Sequence, residues 1–137
     1  MNDADLLLRI AATLKQEIAP AIDAEYPKTQ AFMAAVVLEK LGRQIALAPA
    51  HARASAADLI ALIDDLTVML SASGAPNAVE HAIAELCRTR DAEALGRMVE
   101  TLYAAGAELG ERRFAQLLAR VRRTLRADIE RRMEYSE

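Results

Sequence analysis

Apolar residues recur along this chain at three- and four-residue steps almost from end to end, the spacing of helices with one buried face. Leu7, Ile10, Ala11, Leu14 and Ile18 make a first stripe. It opens behind Asn2 or Asp3 as helix cap and closes at Pro20, which has no amide proton to continue the ladder. A second helix is predicted from Pro27 to about Leu47. Its front half, with Phe32, Met33, Val36, Val37 and Leu38, is apolar nearly all round, and Leu41 and Ile45 continue one face. Such a helix is expected to be central and buried from several sides, with Ala31, Ala34 and Ala35 letting neighbours approach closely.

Ala48-Pro49-Ala50-His51-Ala52 reads as a loop carrying an exposed His51, and Ser55-Ala56-Ala57-Asp58 as a capping box that opens a third helix. That helix buries Leu59, Leu62, Ile63, Leu66, Met69 and Leu70 and stops at Ser71-Ala72-Ser73-Gly74. A short fourth helix behind Pro76 turns Val79, Ile83, Leu86 and Cys87 inward. Asp91 caps a fifth with Leu95, Met98, Val99, Leu102 and Tyr103 inside. Gly106 and Gly110 bracket a turn. The sixth helix runs from about Glu111 to Glu134 and buries Phe114, Leu117, Leu118, Val121, Leu125 and Ile129. The pattern predicts an all-α, single-domain bundle of five or six helices over residues 1–137, with the second helix central. No repeat or long linker divides it.

Composition supports this. Of 137 residues, 53% are hydrophobic and 27% charged, which excludes a disordered chain. Ala makes up roughly a fifth of the chain, and strand-favouring residues are sparse. The longest apolar run, Ala31 to Leu38, falls far short of the ~20 residues of a membrane-spanning helix, so no membrane partner is expected. The acidic start Met1-Asn2-Asp3-Ala4-Asp5 does not resemble a signal peptide, and the lone Cys87 has no disulfide partner within the chain. Both fit a cytoplasmic location.

Candidate chemistry is thin: two His, one Cys, five Gly and no Trp. His81 and Glu85 share a helix turn near Glu80 and Cys87, but the paired Glu-x-x-His motifs of di-iron bundles are absent. Asp64 and Asp65 are adjacent and point about 100° apart on a helix, so they do not form an acidic pair on one face. No nucleophile elbow and no phosphate loop occur. No enzyme activity, catalytic residue, metal or cofactor is therefore expected.

The one strong asymmetry is a run of arginines: Arg112, Arg113, Arg120, Arg122, Arg123, Arg126, Arg131 and Arg132. Arg112 and Arg113 at the helix start are placed to meet phosphates. A net charge of −3, the lack of Trp and the long turn before the helix argue against nucleic acid as the partner. Pairing of Arg120, Arg123 and Arg126 with carboxylates, within the chain or across a subunit contact, is the expected alternative.

Glu17-Ile18-Ala19-Pro20-Ala21-Ile22, followed by Gln30-Ala31-Phe32-Met33-Ala34-Ala35-Val36-Val37-Leu38-Glu39, resembles the opening of a family of small all-helical bacterial proteins of unknown function. Members of that family are commonly encoded beside aminoglycoside-phosphotransferase-like proteins and acyl-CoA dehydrogenases. The resemblance covers about half the chain, with a looser similarity from Leu117 to Met133. It departs at Phe32-Met33-Ala34, where the family favours His-Ala-Arg, and at the C-terminal Glu134-Tyr135-Ser136-Glu137. It carries no catalytic residue over to this chain.

The expected function is a non-catalytic accessory or protein-interaction module, a homodimer or the binder of a partner protein. Its candidate surface is Arg120, Arg123, Arg126, Ile129, Met133 and Tyr135 on the overhanging sixth helix. The alternatives are a binder of a small apolar, acyl-like ligand lined by Met33, Met69, Met98 and Met133, and a nucleic-acid binder through the Arg-rich helix.

Overall fold

Asn2 caps the first helix, α1 (Asp3–Thr13), by accepting the Asp5 N–H at 2.8 Å. Pro20 then leaves its imprint on the backbone. Lacking an N–H, it cannot bond back four residues, and the helix widens into a π turn at Leu14–Ile18. There the Ala19 N–H reaches the Leu14 carbonyl, and a 3-10 turn follows at Ala19–Ala21.

The computed structural model describes residues 1–136, and among them the protein is an all-α domain with six α-helices and no strand. After α1 come α2 (Glu25–Ser71), α3 (Asn77–Thr89), α4 (Ala92–Ala104), the single turn α5 (Gly106–Leu109) and α6 (Glu111–Met133). No helix of the described residues is long and apolar enough to cross a membrane. The expected break between a second and third helix is absent. α2 runs 47 residues through Pro49, so His51 is helical and Ser55 is no cap. An interior Pro costs a helix about 3 kcal/mol. The Ala-rich flanks, Ala46, Ala48, Ala50 and Ala52, are the strongest helix formers and keep the turn helical on both sides.

The chain divides into two compact units, one of Met1–Ala52 with the chain from Arg131 on, the other Arg53–Glu130, and α2 contributes to both. The large buried side chains belong to the second unit. Leu62, Leu66, Val79, Leu86, Met98, Leu102, Leu117 and Val121 are fully buried there, each contributing about 1.5–3 kcal/mol of burial. Asp91 caps α4 by accepting the Ala94 N–H at 2.7 Å. Four expected core positions lie outside: Cys87, Tyr103, Leu125 and Ile129 are exposed, Tyr103 lying edge-on against Phe114 with ring centroids 5.2 Å apart.

The first unit is built differently. Its buried residues are all small: Ala4, Ala11 and Ala19, with Ala35 and Gly42 of α2. A Cβ at Gly42 would stand 3.0 Å from Leu8 Cγ and 3.3 Å from the Ala4 carbonyl oxygen, so α1 and the front of α2 meet nearly backbone to backbone. Lys15 Nζ reaches Glu39 Oε1 at 3.4 Å, and with the Leu8–Gly42 approach this fixes an antiparallel hairpin. The apolar residues expected to bury Phe32 to Leu38 on every side do not. Phe32, Met33, Val36 and Val37 are exposed and Leu38 is half-buried, because the hairpin closes on its small residues and leaves the large ones outside.

Candidate functional site

Two surfaces stand out, one in each unit. In the hairpin, Met33, Val37, Leu41 and Ile45 follow one another at four-residue steps, which makes a continuous ridge on a helix. All four are open to solvent, Met33 at 56% and Val37 at 54%. Leu6, Ile10 and Leu14 form the same kind of ridge along α1 and the start of the π turn. Leu6 and Ile10 are exposed, and Ile10 and Leu14 line a shallow groove of about 280 Å³ with Arg9, Thr13 and Ile18.

Helix geometry puts these ridges on one side. Leu41 lies about 110° round α2 from the Ala35–Gly42 contact line, and Ile10 about 110° in the same sense round α1 from Ala4–Ala11. With opposed chain directions, equal rotations of the same sense face the same way. The result is a single apolar face across two helices. Between Gln30 and Gln44 the α2 side of that face offers only Met33, Ala34, Val37, Leu38 and Leu41. The opposite side of the hairpin carries Leu8, Phe32 and Val36, less exposed and mixed with Lys40 and Arg43.

The same unit holds His51, whose side chain is only 13% exposed rather than lying open on a loop. Its Nδ1 is 2.9 Å from the Tyr135 hydroxyl and its Nε2 3.0 Å from Glu134 Oε2, with the His51 and Tyr135 rings 5.1 Å apart. Tyr135, expected at a contact surface, is thus engaged within its own chain. Met133 is exposed.

In the second unit a groove of about 460 Å³ runs between α2 and α6, lined by Asp65, Val68, Met69, Gln116, Ala119, Arg120 and Arg123. Arg120 is not free. Its Nε donates to Asp65 Oδ2 at 2.6 Å and its Nη1 to Thr124 Oγ1 at 2.7 Å, leaving the side chain 12% exposed. That is the carboxylate pairing expected for this arginine. Arg113 is likewise committed, but not to a phosphate. Its Nη2 donates to the Leu70 and Gly74 carbonyls, where a cation stabilises the free C-terminal end of α2. Arg123 lines the groove, and Arg126 and Ile129 are exposed.

The four methionines do not converge. Met98 is fully buried in the core, Met69 lines the groove, and Met33 and Met133 face solvent. His81 is exposed, and Glu85, one turn from it, pairs with Arg97 at 2.7 Å, which also meets Glu93 at 3.3 Å. Among the described residues no cluster of three or more His, Cys, Asp or Glu side chains is placed to hold a metal ion.

Apolarity on several sides of α2 predicts a buried interior for these residues and so conceals the hairpin face. The signal that identifies it is the seven-residue spacing of small residues, Ala4 to Ala11 and Ala35 to Gly42, which marks the contact line and turns the large side chains away from it. Compared with protein-family models, with curated proteins and with solved structures, the chain matches none.

Proposed function

We propose that this chain works as a non-catalytic protein-interaction module whose binding surface is the apolar face of the α1–α2 hairpin. The observation that carries the reading is the ridge Met33, Val37, Leu41, Ile45, exposed beside Leu6 and Ile10 without a charged residue along its centre. Monomeric soluble proteins rarely leave a contiguous apolar patch of several hundred Å² open to water, and such patches mark protein contacts. A helical face of this kind recognises another helix, since the side-chain rows of one helix seat in the grooves of the next.

The groove of the second unit supports the reading less. Its floor is an internal ion pair, so an anionic ligand would have to compete with Asp65 for Arg120. The test is photo-crosslinking in the source cell, with the reactive residue placed at Val37 or Leu41 and, as control, at Arg88 on the exposed surface of α3. A discrete crosslinked protein species from the ridge positions and none from Arg88 is expected. Absence of any crosslinked species from both ridge positions overturns the proposal.

A further inference from the structure

The occupant of the face follows from what the hairpin lacks. Among its described residues no large side chain is buried, and two helices closed on alanines and one glycine have no interior of their own. Helical hairpins without a core become stable by pairing, so that four helices enclose the apolar rows that two leave open. We infer that the face is covered by a second copy of this chain, the two α1–α2 hairpins forming a four-helix bundle about a two-fold axis. This rests on the reading of the face as a protein-binding surface and adds the identity of what binds there.

Three observations favour a second copy over an unrelated partner. The first is area. Leu6, Ile10, Ile18, Met33, Val37, Leu41 and Ile45 are each between 42% and 56% exposed. For residues of this size they present on the order of 650 Å² per copy, or about 1,300 Å² for two, within the range of stable, specific interfaces.

The second is charge. A two-fold interface sets a patch against itself, so any charge at its centre meets its own like. This ridge carries none from Met33 to Leu41. A patch selected for a foreign partner gains from charge complementarity, whereas here the one charged side chain lining the adjoining α1 groove is Arg9.

The third is spacing. The ridge is centred on residue 39, so an antiparallel two-fold pairing sets Met33 opposite the partner copy's Ile45 and Val37 opposite its Leu41. The smaller Val37 then meets the larger Leu41 at the two central levels of the seam. The α6 surface expected earlier for self-association is a poorer seam. Its exposed Leu125, Ile129 and Met133 are interleaved with Arg122, Arg126, Glu130 and Arg132.

The experiment is sedimentation equilibrium of the full chain from about 1 to 100 µM, the range in which an interface of this size assembles. The expected result is twice the chain's mass. Leu41→Asp should convert it to a monomer that keeps its helical circular dichroism, weakening assembly on the order of 100-fold or more, because an unpaired carboxylate then faces an apolar seam. Ile10→Lys, on the other helix of the same face, should do likewise and takes the place of Leu41→Asp if that variant loses its helical signal. Val68→Asp, at an exposed apolar residue of the groove, should remain dimeric.

A parent chain that is monomeric throughout overturns the inference. So does a dimer indifferent to both hairpin variants but dissociated by Ile129→Asp, which assigns the seam to α6. If the purified chain is monomeric while the ridge crosslinks to a different protein in the cell, self-pairing fails and the interaction-module reading stands.

Discussion

Replacing Gly42 by Leu and Gly96 by Ala should move stability in opposite directions, although both glycines lie inside helices. A helical glycine costs about 0.5–1 kcal/mol relative to Ala, so each replacement begins with a gain of that order. At Gly96 in α4 nothing lies within 4 Å of the added Cβ, so the gain should be realised in full. At Gly42 the Cβ would meet Leu8 Cγ at 3.0 Å, Leu8 Cδ2 at 3.1 Å and the Ala4 carbonyl oxygen at 3.3 Å. Leu8 is partly exposed and can swing towards solvent, but the Ala4 oxygen is α1 backbone. The three further carbons of a leucine require the space that α1 itself occupies. Overpacking of this kind costs about 1–3 kcal/mol, and more than cancels the propensity gain.

The expected net values are about −1 kcal/mol for Gly42→Leu, from the middle of the two ranges, and about +0.5 to +1 kcal/mol for Gly96→Ala. For a chain of this length each kcal/mol corresponds to about 3–4 °C in melting temperature. Thermal and urea melts followed by far-UV circular dichroism give both numbers. A Gly42→Leu protein that melts at or above the parent would show that α1 does not press against α2 at this point, and the hairpin geometry would be wrong. The position faces α1 rather than the exposed ridge, so this result is independent of what covers that ridge.

Other outcomes follow from the same packing. Leu66→Ala, at a fully buried site of the second unit's core, should cost about 3–5 kcal/mol, and a loss below 1 kcal/mol in a urea titration would contradict the placement of that core. Arg90 closes α3 in the left-handed region at φ 52, where a side chain is strained. Arg90→Gly should therefore raise stability by about 0.5–1 kcal/mol despite loss of the bond from its Nε to the Cys87 carbonyl, and a lowered melting temperature would show that this bond outweighs the strain.

What the sequence determines here is local. Asn2 and Asp91 cap their helices because a side-chain oxygen beside a free N–H needs no distant partner. Pro20 distorts the backbone where it stands for an equally local reason, and Ser71 to Gly74 ends α2. The all-α class follows from periodicity summed over the chain, and the core stripes of α3, α4 and α6 are legible wherever one face alone is apolar.

Two decisions belonged to the tertiary structure. Pro49 was an expected boundary, but a single residue's penalty is outweighed by the alanines around it and by a helix held at both ends, a balance no window of sequence contains. The front half of α2 is apolar on several sides, and hydrophobicity alone cannot say which of those sides meets the chain's own helices. The choice went to Ala35 and Gly42, because small side chains permit the closest backbone approach to Ala4 and Leu8. The larger apolar residues were thereby turned outward, where a buried core had been expected.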